Sequence, residues 1–169
     1  MRILAALAIT CVAPLAAAQQ AELAAFESLV QRCKAAYTAR GLEEVAFADL
    51  AKSWVKRVYS PATISYDVRK TDSLVAPLAA HIEIDEFVAA ERGPNEEGAR
   101  ALAVSIDGPG SRRVTRINFT LQQGQWTATG ATLRVARRLK TGAPFERPEG
   151  VIEDPMSLRQ TKAPIAQCL

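Results

Sequence analysis

Hydrophobic positions recur at two different periods along this chain, and the change of period divides it. From Ala21 to Arg40, residues Leu23, Phe26, Val30, Cys33 and Tyr37 fall three or four apart. That spacing places them on one apolar stripe of an amphipathic helix. Gly41, directly after Arg40, suits the helix C-terminus. Cys33 lies on the stripe, so its thiol is expected to face the core. Glu43 to Val58 reads in two ways. Phe47, Leu50, Ala51 and Trp54 fit a second short helix, whereas Trp54, Lys56 and Val58 alternate as a strand. The helix is favoured, because Ser60-Pro61 then breaks the segment.

From Ala62 the period falls to two. Ile64, Tyr66 and Val68 alternate with Ser65, Asp67 and Arg69, and Ala80, Ile82 and Ile84 alternate with His81, Glu83 and Asp85. Both are half-buried strands. Glu91 to Arg100 is a charged break containing Gly93-Pro94-Asn95 and Gly98. Leu102, Val104 and Ile106 form a third alternating set, closed by the turn Asp107-Gly108-Pro109-Gly110. Thr115, Ile117, Phe119 and Leu121 lead through a Gln-Gln-Gly-Gln turn into a last strand, Trp126 to Arg137, with Gly130 as a bulge. Pro144, Pro148, Pro155 and Pro164 prevent long regular structure beyond it. The order predicts an α+β fold: an N-terminal helix, or two, packed on a curved antiparallel sheet, with an irregular C-terminal tail.

The first residues have a different character. Arg2, an uncharged apolar run from Ile3 to Leu15, and Ala16-Ala17-Ala18 match the three parts of a secretory signal peptide. The run is too short to span a bilayer, which takes roughly 20 residues. Residues 1–18 are therefore read as a signal peptide, 19–141 as one α+β domain, and 142–169 as an extended tail. Cleavage after Ala18 removes Cys11 and leaves Cys33 and Cys168. In an oxidising compartment these two are expected to form a disulfide that ties the tail back to the helix. Two free buried thiols are the alternative. The expected location is the bacterial periplasm or the exterior.

Charge narrows the partners. Removing Arg2 leaves 20 Lys and Arg against 18 Asp and Glu. A balance so near neutral does not suggest nucleic-acid binding, which shows a clear basic excess. Locally the picture differs. Asp and Glu are absent from Ser111 to Thr141, and the arms of the last hairpin carry Arg112, Arg113, Arg116, Arg134, Arg137, Arg138 and Lys140. Pairing the arms around Gly124 is expected to bring Arg113 near Arg134. The arginines form a candidate patch for an anionic partner. The competing reading is a sheet edge kept soluble by charge.

The stretch Tyr66-Asp67-Val68-Arg69-Lys70-Thr71-Asp72-Ser73-Leu74-Val75-Ala76-Pro77 resembles a segment of uncharacterised bacterial exported proteins, where it carries a strand and the loop after it. That resemblance implies no activity. The helix-then-sheet order is similar to rolls of the cystatin-like and nuclear-transport-factor-like kind, which implies architecture alone.

Catalytic signatures are not found. There is no Gly-x-Ser-x-Gly elbow, no His-Glu-x-x-His and no phosphate loop. His81 shares a strand face with Glu83 and Asp85, a set with only one of the nitrogen or sulfur ligands that structural zinc prefers. No catalytic residue, metal or cofactor is assigned. The expected function is that of an exported, non-enzymatic binding or interaction protein of the bacterial cell envelope, with an envelope protein or anionic envelope component as partner. Neither nucleic acid nor a transmembrane segment after processing is expected. The alternative is a small-ligand-binding roll with a pocket between helix and sheet, lined by Trp54, Tyr66 and Trp126.

Overall fold

Alanine-rich sequence and one apolar stripe produce a single long helix, α1, over Ala13–Arg40. In this computed structural model the described residues are 13–49, 51–139, 145–152 and 163–169. Phe26, Leu29, Val30 and Cys33 are the buried residues of α1. Gly41 ends the helix at φ +76°, with its N–H donating to the Thr38 carbonyl at 3.2 Å. The left-handed backbone there explains the glycine. The predicted signal residues before Ala13 lie outside the described residues. Cleavage after Ala18 would shorten α1 but spare Glu22, whose carbonyl accepts from Trp126 Nε1 at 2.9 Å.

The strands are β1 (Glu43–Ala48), β2 (Ser53–Tyr59), β3 (Thr63–Lys70), β4 (Leu78–Gly93), β5 (Gly110–Gln122), β6 (Gln125–Arg138) and β7 (Phe145–Ile152). A short helix, α2 (Glu96–Arg100), follows β4, and a 3-10 turn (Pro164–Cys168) stands near the C-terminus. The sheet runs β1-β2-β4-β5-β6-β7, with β3 also on β4 and every pairing antiparallel. One edge of β4 serves two partners. Tyr59 of β2 stands opposite Val88, and Thr63 of β3 opposite Asp85. Ser60-Pro61-Ala62 makes the jog between them. Ser60 closes it, donating from N to the Phe87 carbonyl and accepting at Oγ from the Phe87 N–H, each at 2.8 Å.

The period-two pattern sorts the strands into two faces. Ala80, Ile82 and Ile84 of β4 and Ile117 and Phe119 of β5 meet the stripe of α1 in one core. Each large apolar side chain buried there contributes about 1.5–3 kcal/mol. The opposite face carries Asp67, His81, Glu83, Asp85, Arg112 and Arg116, in register across β3, β4 and β5. Among the described residues no helix is long and apolar enough to cross a membrane. Cys33 and Cys168 form a disulfide, with Cα atoms 4.5 Å apart, that pins the 3-10 turn to α1.

Three expectations are corrected. Glu43 to Val58 is the β1–β2 hairpin and not a second helix. Val45, Phe47, Trp54, Val55 and Val58 are β-branched or aromatic and suit a pleated surface. Lys52 at φ +47° helps turn the chain, with Ala51 N–H on the Ala48 carbonyl. Leu50, which the helical reading used, lies outside the described residues. Leu102, Val104 and Ile106 alternate in burial but join no strand. Side chains take the place of a strand partner there. Lys56 Nζ donates to the Leu102 carbonyl at 2.9 Å, and Arg138 donates to the carbonyls of Ile106 and Gly108. Finally, the tail is not irregular throughout, since β7 joins the sheet beside β6. Its register shifts opposite the Leu133 to Val135 stretch, where Pro148 is tolerated because a bulge has no regular ladder to break.

Candidate functional site

The densest polar arrangement on the helix side of the sheet lies where α1 ends. Tyr37 and Arg40 project from its last turn toward Tyr59 of β2 and Glu86 of β4. Arg40 Nη1 lies 2.8 Å from Glu86 Oε2, and both side chains are largely buried, at 14% and 11% exposure. The pair is close but poorly aligned, since Arg40 Nε and Glu86 Oε2 are buried without a hydrogen bond. The Arg40 guanidinium stacks over the Tyr59 ring, 3.7 Å from its centroid, and lies 5.1 Å from that of Tyr37. Tyr59 in turn donates its hydroxyl to Glu44 Oε2 at 2.6 Å, and Arg57 Nη1 reaches the same oxygen at 3.3 Å.

The phenols respond to these surroundings. Burial pushes the Tyr59 hydroxyl up to about 12, and its bond to Glu44 adds to the rise. Tyr37 is raised above the ordinary phenol value, first by burial and then by the charge of Glu86. Two clefts open on either side of the Tyr37–Arg40 pair. One, of about 430 Å³, runs along Lys34, Gly41, Pro61 and Ile64. The other, of about 420 Å³, lies between Arg113 and Leu133 of the sheet and Pro164 and Ile165 of the tail.

The six arginines do not form one patch. Register places Arg113 opposite Val135 and Arg134 opposite Val114, so Arg113 and Arg134 point to opposite faces, correcting the expected proximity. Arg112, Arg116, Arg134 and Arg138 share the outer face, while Arg113 and Arg137 share the helix side. Three of the outer four are engaged within the molecule. Arg112 makes a two-pronged contact with Asp85, Nε to Oδ1 at 2.9 Å and Nη2 to Oδ2, which holds the carboxyl below its ordinary range. Arg116 Nη2 lies 2.9 Å from His81 Nε2, so that nitrogen accepts and the imidazole is neutral. Burial, and then the charge of Arg116, lower the His81 pKa. Arg138 holds the two loop carbonyls and lies 4.3 Å from the Phe87 ring centroid. Lys140 lies outside the described residues.

The aromatic trio is also divided. Trp126 and Tyr66 both pack on Phe26, at 4.7 and 6.0 Å between ring centroids. Trp126 packs against the core, Tyr66 is exposed beyond its contact with Phe26, and neither lines either of the two clefts. Trp54 stands opposite Gly93 at the far end of β4 and packs on Phe47 at 5.9 Å. Among the described residues no group of three or more His, Cys, Asp or Glu is placed to hold a metal ion, and His81, Glu83 and Asp85 face the arginines of β5.

The loop Thr71–Pro77 combines order with exposure. Thr71 N–H donates to the Pro77 carbonyl at 2.9 Å, and Thr71 Oγ1 donates to the Ala76 carbonyl. Ser73 Oγ accepts from Ala76 N–H at 3.2 Å. At the tip Leu74 is 100% exposed and Val75 79%. Neither these two residues nor the Tyr37–Arg40–Glu86–Tyr59 group was singled out by sequence reasoning. No protein-family model matches the chain, no curated protein matches its sequence and no solved structure matches its fold.

Proposed function

We propose that this chain is an exported, non-enzymatic interaction protein of the bacterial cell envelope, and that it docks on a protein partner through the Thr71–Pro77 loop. One observation carries the reading: Leu74 and Val75 are held in solvent by a loop that bonds to itself. Exposing adjacent aliphatic side chains to water costs free energy, and burying each in a partner's pocket recovers about 1.5–3 kcal/mol. A loop already ordered by its own bonds has less entropy to lose on docking. The Cys33–Cys168 disulfide and the signal-like first residues support export. Three of the acids near the clefts and the outer face, and the histidine, have structural partners: Glu44 has Tyr59, Glu86 has Arg40, Asp85 has Arg112 and His81 has Arg116. That occupation supports a binding role over a catalytic one. Three of the four outer-face arginines are bonded in the same way, which favours a protein partner over an anionic polymer.

The test replaces Leu74 and Val75 together by Asp. Photo-crosslinkers placed at Ser73 and Ala76 in producing cells identify the contacting protein, which is then purified and titrated. The double variant should melt like the wild type, since surface changes cost within about 0.5 kcal/mol. Its affinity for that protein should fall at least about tenfold, for two lost apolar anchors. Equal affinity of both proteins, or no crosslinked protein, would overturn the reading.

A further inference from the structure

A cleft lies where α1 ends, lined by none of the Thr71–Pro77 residues. The cleft beside Arg113 has a volume of about 420 Å³, within the range of small-molecule pockets. It has two unlike sides. Leu133 of β6 and Pro164 and Ile165 of the tail make an apolar wall, which the Cys33–Cys168 disulfide keeps in place. Tyr37, Arg40 and Glu86 make a polar floor, with the exposed Arg113 at its margin.

The charges on that floor do not balance. Arg40 is matched by Glu86, and Glu44 at the margin is matched by Tyr59 and Arg57. Arg113 is the cross-strand neighbour of Glu86, yet among the described residues no carboxylate stands within ion-pair distance of it. The buried Arg40 Nε adds a second donor without an acceptor. Glu86 Oε2 is likewise buried without a hydrogen bond, so the charge left unmatched is that of Arg113, which lacks an acceptor carrying one negative charge. A guanidinium fork fits a carboxylate with two parallel bonds. A second negative charge on the ligand would be repelled by Glu86 and Glu44, which disfavours a phosphate dianion. An amine would be repelled by Arg113, and the charge of Glu86 is already balanced by Arg40.

We propose that this cleft binds a small organic monocarboxylate with an apolar body, its carboxylate on Arg113 and its body against Leu133, Pro164 and Ile165. The assignment rests on the unmatched guanidinium facing an apolar wall across an open volume of ligand size.

The probes are octanoate, octylamine and octyl phosphate, which share one apolar body and differ in head group. Each is titrated calorimetrically into the oxidised, processed protein, below the concentration at which it self-associates. Octanoate should bind saturably at one site per chain, octyl phosphate more weakly, and octylamine not at all. Arg113→Gln should keep the wild-type melting temperature and weaken octanoate roughly tenfold or more, as loss of a charged hydrogen-bond partner does. Arg137→Gln removes a charge from the same sheet face without touching the cleft, and should bind octanoate like the wild type. Octanoate binding that Arg113→Gln leaves unchanged, equal binding of octylamine, or no binding of octanoate would overturn the proposal.

Discussion

The two ends of α1 are packed by different means. Toward its N-terminus Phe26 touches Trp126, Phe119 and Tyr66, with ring centroids 4.7, 5.5 and 6.0 Å away. About three turns further on, Tyr37 and Arg40 sit between clefts, beside an ion pair with unmet hydrogen bonds. The rings pack tilted or edge to face, and the indole N–H among them is met by the Glu22 carbonyl. Charged groups under partial cover demand aligned partners, and here they are not all supplied. The ring-packed end is thus the source of stability, and the polar end is where the molecule has binding capacity left over.

The sharpest way to break that comparison is Phe26→Ala. Phe26 is fully buried, so its truncation should cost about 3–5 kcal/mol. Urea denaturation measures it, and a loss under about 1 kcal/mol would mean that the rings are not the main support. Reduction of Cys33–Cys168 should come next, at about 2–5 kcal/mol. It should also loosen the polar end preferentially, since Pro164 and Ile165 wall that cleft. Hydrogen exchange across residues 34–40 and 20–30, compared before and after reduction, decides whether the loss is local.

A third prediction concerns alkali. Folding raises the Tyr59 pKa from 10.0 to about 12, so between those values the unfolded chain releases a proton that the folded chain keeps. Stability is therefore full below pH 10 and falls as pH rises through about 12. Tyr37 shifts in the same direction. Tyr59→Phe should flatten the fall in melts followed across that window, and an unchanged slope would contradict the buried phenol. The smallest effects belong to the outer face. Arg138→Gln should cost about 1 kcal/mol because Arg138 holds two loop carbonyls, whereas Arg134→Gln should stay within about 0.5 kcal/mol. Equal melting temperatures for the two variants would show that the carbonyl bonds add nothing.

The ring-packed end was largely legible in the sequence. Period three-to-four gave Phe26, Val30 and Cys33, and period two gave Ile82, Ile84, Ile117 and Phe119, because burial against a flat partner imposes those spacings. The β1–β2 hairpin was not, because Phe47, Ala51 and Trp54 satisfy helical spacing as well as strand composition. Nor was β7, since its proline, Pro148, is tolerated only by an irregular edge pairing. The polar end left a fainter trace. Alternation puts Glu86 in phase with Ile82 and Ile84, and Arg113 in phase with Thr115 and Ile117. A charge in phase with the core needs a partner, but the partner of Glu86 is Arg40, brought there by tertiary packing and by no local spacing.

The bond between Cys33 and Cys168, 135 positions apart, makes residues 33–168 a covalent ring. A single peptide cut anywhere in the ring, for instance beside the fully exposed Leu74, opens it without releasing a fragment. The severed ends stay tethered through the sulfur atoms, and the cut molecule remains one particle able to close up again. One nick is then a survivable injury. Its signature is a band that stays whole on a denaturing gel and splits in two only when reductant is added.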